Sequence, residues 1–311
     1  MPVLVPEIRR IAILGAGAMG AYFAASFSDA GFPTALVARG ERYERLDRDG
    51  LVVNGQAYSI PIAHPDRVDT PADLIIVALK GYQLPGAAGD LRSLVGEHTT
   101  IVSVMNGLDS EEILAGLYGQ EKVLYAMSLG IDAVRQGNRV TYTKPGTHYV
   151  GEATNDRLTE RVRRVQAAFD RAAIAYVTPP DMLRMLWWKF MINDGVNLPS
   201  AVMRAPYGVF QTSPDAQALM EALMHEVIAV ARAVGVNLVE QDVKDWYPVL
   251  NGLSPEGKTS MLQDIEAGRK TEVETFAGKA VVLGRAHGIP TPVNEAMLYV
   301  IRVLERQPEG N

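Results

Sequence analysis

"RIAILGAGAMGAYFAASF", Arg10 to Phe27, places an apolar run, a glycine turn and a helical pattern in immediate succession. Ile11 to Leu14 read as a buried strand, and the residues from 18 to 30 as a helix. Between them stands GxGxxG, written here Gly15-Ala16-Gly17-Ala18-Met19-Gly20. In that setting the first glycine permits a tight turn and the second lets backbone approach a pyrophosphate. The third allows close packing of helix on strand, and the helix N-terminus faces the anion. The same stretch also mimics a secretory signal, since Arg9 and Arg10 precede 18 uncharged residues from Ile11 to Ser28. Three glycines weaken a membrane-inserting helix but are what the nucleotide turn requires, so a cytoplasmic chain is expected.

The pattern repeats downstream. "TALVAR" reads as a second strand, and "DLIIVALK" and "TTIVSVM" are continuous apolar runs suited to parallel strands covered on both faces. Strands alternating with helices imply an α/β sheet with helical crossovers. "LVVNGQAYSI" predicts a hairpin around Asn54-Gly55, inserted into that scheme. "DAVRQGNRVTYTKPGTHYVGE" predicts an antiparallel meander with turns at Gln136-Gly137-Asn138 and Pro145-Gly146.

From Thr178-Pro179-Pro180 onward the chain reads as all-α, with helices over 181 to about 198, Pro214 to Val234, Val273 to Ala286 and a shorter one after Asn294. Ser213-Pro214 supplies a cap and a first-turn proline, and Gly235 and Gly288 stand where C-terminal glycines belong. Pro199 is expected to end or kink the first of these helices. Two domains follow, 1–179 and 180–311, in keeping with a chain of 311 residues. The tail "RQPEGN" is expected to fray.

Composition narrows the function. A formal charge of −6 gives no basic face for nucleic acid or anionic membrane, which leaves small molecules as partners. The absence of cysteine excludes disulfides, thiolate catalysis and Cys-ligated metals. Five histidines without HxH or HExxH spacing make a histidine metal site improbable, so no metal is expected.

Candidate cofactor residues lie at strand ends, where open α/β sheets bind ligands. Arg39 ends the second strand where a site for NAD would place an acid, and arginine there suits the 2′-phosphate of NADP(H). Lys80 and Asn106 follow the next two strands and would overlook the same crevice.

In the second half, "MLWWKFMINDGVNLPSA", Met185 to Ala201, carries Lys189, Asn193 and Asn197 at i, i+4 and i+8 on an apolar helix. These fall within an arc of about 80°. A helix lysine ordinarily snorkels to water, but two asparagines on the same face point to a lined pocket. Ser260 with Gln263 and Thr271 with Glu274 match the capping box, which by itself accounts for part of "TSMLQDIEAGRKTEVETFAGK".

Taken together, "GAGAMG", "VALKGYQ", "MNG", "LWWKFMINDGVN" and "TSMLQDIEAGRKTEVETFAGKAVVLGRAHGIPTP" resemble the ketopantoate reductase (2-dehydropantoate 2-reductase) family, from Ile11 to about Arg302. The resemblance implies an α/β Rossmann-type dinucleotide-binding domain followed by an all-α C-terminal domain, with the active site in the cleft between them. It implies NADPH-dependent reduction of a 2-oxo acid, ketopantoate to pantoate; a homodimer is the expected assembly. Lys189 would be the general acid, Asn193, Asn197 and Ser260 would bind substrate, and Glu272 would sit where substrate meets cofactor. Gly15 to Gly20, Arg39, Lys80 and Asn106 would hold NADP(H). Gly257, three residues before Ser260, and Tyr207, near the end of the lysine helix, stand where many members carry asparagine. The family includes reductases of other 2-oxo acids, some using NAD, which is the nearest alternative. A non-catalytic NADP(H)-sensing regulator is the alternative of another class, and it would have no use for Lys189 together with Glu272.

Overall fold

The computed structural model describes residues 7–306. The chain divides into two compact units, the first ending at Leu183 and the second beginning at Arg184. The expectation of a frayed tail falls, apart from Arg306, on 307–311, outside the described residues.

The first unit opens with β1 (Ile11–Leu14), α1 (Ala18–Asp29), β2 (Thr34–Val37), α2 (Gly40–Asp49), β3 (Leu51–Val53), β4 (Gln56–Tyr58) and β5 (Ile62–Ala63). It continues with β6 (Ala72–Val77), α3 (Leu84–Ala87), β7 (Val95–Ser103), α4 (Ser110–Tyr118) and β8 (Val123–Ile131). β9 (Val134–Gln136), β10 (Arg139–Thr141), β11 (Pro145–Gly151), α5 (Glu160–Arg171) and β12 (Tyr176–Val177) complete it. The order β5-β2-β1-β6-β7-β8 is parallel throughout, and β11 then adds antiparallel to β8. Strand order reverses between β1 and β6, which makes their carboxyl ends the crevice where such sheets take ligands.

Burial explains why these runs are uniformly apolar. Ile11, Ile13, Leu74 and Ile76 face one cluster with Phe23 and Phe27 of α1. Ala12, Leu14, Ile75 and Val77 face the opposite one with Leu84, Leu91 and Leu114. Each fully buried aliphatic side chain contributes about 1.5–3 kcal/mol, so β1 and β6 anchor the unit from both sides. The run Ile11–Ser28 is therefore the sheet's first strand and helix. Among the described residues, no helix is long and apolar enough to cross a membrane.

The Asn54-Gly55 hairpin forms, with φ of 48° and 85° at its two central residues. The meander does not form as one piece. β9 and β10 pair antiparallel, but β10 then joins β3 in a separate four-stranded sheet. Gly146 lies within β11, where an added Cβ would stand 2.6 Å from the Leu129 carbonyl oxygen, so this glycine serves close strand approach. The reversal falls instead at Thr143 and Lys144, whose N–H groups both donate to Asp132 at 2.8 Å.

The second unit is helical: α6 (Met182–Met203), α7 (Tyr207–Thr212), α8 (Pro214–Ala233), α9 (Glu240–Asn251), α10 (Ser260–Glu266), α11 (Lys279–His287) and α12 (Pro292–Leu304). α6 runs through Pro199 rather than ending there. Beyond the proline, the Ser200 hydroxyl donates to the Ala205 carbonyl at 2.6 Å and ties down the helix end. α8 crosses α6 at Gly195, where a Cβ would lie 2.5 Å from Met224 Cγ. α11 is preceded by one π turn, Glu274–Gly278, closed by the Gly278 N–H donating to Val273 at 3.0 Å.

Candidate active site

Within the first unit the three glycines separate by physical cause. A Cβ at Gly15, whose φ is +106°, would stand 2.4 Å from the Ala78 carbonyl oxygen as the chain leaves β6. At Gly20 it would stand 1.7 Å from the Gly15 carbonyl oxygen. Both positions are closed by the fold itself. At Gly17 the nearest atom is Ala78 O at 3.9 Å, so nothing in the protein forbids a side chain there. Gly17 is the N-cap of α1, and the first N–H groups of a helix lack intrahelical acceptors. Ala16 is buried, whereas Ala18 and Met19 are half-buried on that first turn. A backbone cradle kept open at its middle glycine fits the pyrophosphate of a dinucleotide.

Lys80 and Asn106 lie three residues beyond β6 and β7, both half-buried. The Lys80 N–H donates to Gln83 Oε1 at 3.1 Å, which fixes the turn carrying the lysine. Arg39 caps α2 and is exposed, but it is not alone at that strand end. Its Nη2 is 2.8 Å from Asp90 and 3.5 Å from Asp66. Sequence separation hid these carboxylates, and they change what the arginine offers: a phosphate must compete with them.

In the second unit, Lys189 and Asn193 are half-buried on α6 and Asn197 is buried. Among the described residues, the side chains of Asn193 and Asn197 make no hydrogen bond. Two amides on one helical face without a protein partner leave donors and acceptors available to a polar ligand.

Ser260 joins them through its neighbour. Thr259 is the cap of α10, its hydroxyl accepting from the Leu262 N–H at 3.2 Å. That corrects the expected Ser260 capping box. Ser260 instead occupies the first helical position, exposed, its hydroxyl without a hydrogen bond among the described residues. The Thr259 hydroxyl donates to Ser200 Oγ at 3.0 Å, so the turn bearing Ser260 is tied to α6 just beyond Asn197.

Glu272 is buried two residues before the π turn, its carbonyl accepting from Thr275 and Phe276 N–H groups at 2.9 and 3.2 Å. The Phe276 ring packs 6.1 Å from that of Phe190, the residue after Lys189. The expected Thr271–Glu274 capping box is absent. Thr271 donates to Glu305 at 2.5 Å, while Glu274 takes a two-pronged contact from Arg302 at 2.6 and 2.7 Å.

One buried acid escaped sequence reasoning. Asp194, beside Asn193, is fully buried, and neither of its carboxylate oxygens completes a hydrogen bond. Burial pushes its carboxyl well above the usual range; Asn294 opposes that shift and the charge of Glu226 adds to it. The only sequence signal was an acid inside an otherwise apolar helix. Among the described residues, no cluster of His, Cys, Asp or Glu could hold a metal ion.

Comparison with known proteins matches both units. Residues 11–155 fit the family described as ketopantoate reductase PanE/ApbA, and 181–305 fit its C-terminal counterpart. The chain is 28% identical over 299 residues to a 2-dehydropantoate 2-reductase of Archaeoglobus fulgidus, covering 96% of this chain and 99% of that one. Among solved structures, a 2-dehydropantoate 2-reductase of Geobacter metallireducens aligns with a TM-score of 0.83 at 28% identity, over 94% of this chain and 99% of that one. A D-mandelate dehydrogenase solved with NADH and anilino(oxo)acetate shares the fold, with a TM-score of 0.86 at 20% identity over 95% of this chain and 98% of the other. With both family descriptions matched across most of its length, the chain belongs to the ketopantoate reductase family.

Proposed function

We propose that the chain is an NADPH-dependent reductase of 2-oxo acids, with 2-dehydropantoate (ketopantoate) to pantoate as the reaction its family membership favours. The observation that carries this reading is the α6 face, where Lys189 shares one stripe with two open amides, Asn193 and Asn197. The glycine cradle fits a dinucleotide, with Gly15 to Gly20, Arg39, Lys80 and Asn106 as its ligands, and bound NADPH would supply the hydride to the keto carbon.

Hydride addition builds negative charge on the keto oxygen. The Lys189 ammonium stabilises that charge and then gives the oxygen its proton, leaving a neutral amine and a 2-hydroxy acid. Asn193, Asn197 and Ser260 donate to the substrate carboxylate, and being neutral they leave the lysine's charge for the developing alkoxide. Glu272, buried in the segment packed on Phe190, holds the lysine in place.

Use of NADH is the reading favoured by one observation: Arg39 is already engaged by Asp90 and Asp66. A nucleotide sensor without turnover is disfavoured, because it gives the open amides no role. A cytoplasmic homodimer belongs to the same proposal. The test is loss of NADPH absorbance on adding ketopantoate, run beside smaller and bulkier 2-oxo acids and repeated with NADH. Turnover of ketopantoate with NADPH supports the proposal; binding of NADPH with no turnover of any 2-oxo acid overturns it.

A further inference from the structure

Tyr207 and Gly257, which the reaction above leaves without a role, are in contact. The Tyr207 N–H donates to the Gly257 carbonyl at 2.9 Å, and the next N–H, from Gly208, donates to Pro255 at 2.8 Å. A Cβ built on Gly257 would lie 2.9 Å from the Ser254 carbonyl oxygen, 3.1 Å from Tyr207 Cδ2 and 3.4 Å from Cε2. The ring lies over Gly257 and, with that carbonyl, takes the space that a side chain at 257 would need. Both backbone bonds fix the main chain that carries the ring.

That loop is the one that carries Ser260. Gly257 precedes it by three residues, and Thr259 between them is hydrogen-bonded to Ser200 at the end of α6, three residues past Asn197. The residue under the ring thus belongs to the segment that carries Ser260 and is tied to α6 beyond Asn197. Among the described residues the Tyr207 hydroxyl has no hydrogen-bond partner. Burial nevertheless pushes the phenol up to about 12, with no charged neighbour contributing. Tyr207 is half-buried, so its hydroxyl keeps a path to solvent and is available to a ligand.

Resting on the reading of the chain as a 2-oxo acid reductase, we propose that Tyr207 over Gly257 is the subsite for the substrate's side chain, and that it selects 2-oxo acids bearing a planar aryl group. Asn193, Asn197 and Ser260 already provide donors for a carboxylate, so Tyr207 adds what they lack, an apolar face and a single hydroxyl. Aromatic rings pair by offset or edge-to-face packing, which favours a flat substituent. A branched, hydroxylated side chain finds no amide here and gains less from the ring.

The test compares kcat/KM of the full chain for phenylglyoxylate, phenylpyruvate, ketopantoate and pyruvate, with NADPH as reductant. The aryl acids should exceed ketopantoate by about tenfold or more, the scale on which an apolar pocket discriminates. In Tyr207→Ala the ratio of aryl to pyruvate kcat/KM should fall by about tenfold, chiefly through the aryl KM, because pyruvate has no side chain to meet the ring. Tyr207→Phe should keep most of that ratio, which separates the ring's role from general damage. Gly257→Ala, whose methyl crowds both the ring and the Ser254 carbonyl, should lower the ratio without any change at Tyr207. A parent enzyme that prefers ketopantoate to every aryl acid, or an aryl-to-pyruvate ratio unmoved in Tyr207→Ala, overturns the proposal while leaving the reductase reading intact. Failure to reduce any of the four acids overturns both.

Discussion

Arg39 Nη2 lies 2.8 Å from Asp90 Oδ1, so the arginine at the end of β2 is held by a carboxylate from the turn after α3. The guanidinium is thereby oriented before any cofactor arrives, but a 2′-phosphate has to share or displace Asp90. Arg39→Ala should weaken NADPH by about 10- to 10²-fold, the scale of a lost charge-assisted hydrogen bond, and leave NADH little changed. Asp90→Asn should tighten NADPH several-fold. Titrations of nucleotide fluorescence measure both, and equal losses for the two cofactors in Arg39→Ala would contradict the NADP assignment.

Gly17 and Gly20 should respond differently to the same methyl group. In Gly20→Ala the Cβ meets the Gly15 carbonyl at 1.7 Å, and the strand–helix contact must open. A loss of about 3 kcal/mol or more is expected, seen as a Tm lowered by roughly 10 °C or as insoluble protein. Gly17→Ala meets no protein atom closer than 3.9 Å, so its Tm should stay near the parent's while nucleotide affinity falls by about tenfold or more. A Gly17→Ala protein that binds NADPH normally would show that the open glycine is not the pyrophosphate cradle.

Asp194 should make the stability of the helical unit depend on pH. Its carboxyl is raised in the fold relative to the unfolded chain, so the folded state binds that proton more tightly. The resulting stability is fully present below the ordinary carboxylate range and is lost as pH rises toward and through the folded value. Asp194→Asn removes the titration while keeping size and shape. It should raise Tm by roughly 5 °C at pH 8, with the gap narrowing toward pH 5. A gap that widens on acidification would contradict the assignment of a neutral buried acid.

The elements that read most clearly in the sequence are those governed by local chemistry. The order of the first strands, the Gly15-to-Gly20 turn and the Asn54-Gly55 hairpin each follow from residues within one short window, as does the Ser213 cap of α8. What stayed hidden depends on partners far along the chain. Asp90 and Asp66 reach Arg39 only through the fold, and Thr259 takes the cap that Ser260 was expected to fill because α6 presents Ser200 to it. Pro199 was expected to end or kink α6, and the helix does not end there but runs on to Met203, with Ser200 tied to Ala205 and Thr259. The strand β8 and the helices α7 and α9 were not foreseen. On α6 the stripe of Lys189, Asn193 and Asn197 could be counted from spacing alone, but whether those amides were already paired could not.

Asn193 and Asn197 should act on binding more than on chemistry. A contact to the substrate carboxylate is made in the ground and transition states alike, so its loss is felt mainly in KM. Asn193→Ala should raise KM for the 2-oxo acid by about tenfold and change kcat by no more than a few-fold. Steady-state kinetics at saturating NADPH give both constants, and a fall confined to kcat would move Asn193 from substrate binding to the reacting oxygen.

The central claim is that Lys189 delivers the proton to the keto oxygen, and single-turnover reduction by Lys189→Ala measures it most directly. With the variant loaded with NADPH and mixed with the best 2-oxo acid, the hydride-transfer rate should fall by about 10²- to 10⁴-fold, the usual loss on removing a general acid that also stabilises an alkoxide. NADPH affinity should stay near the parent's, since the lysine lies outside the glycine cradle's unit. A folded Lys189→Ala protein that reduces its substrate within a few-fold of the parent rate would contradict the account and make this lysine an ordinary snorkelling side chain.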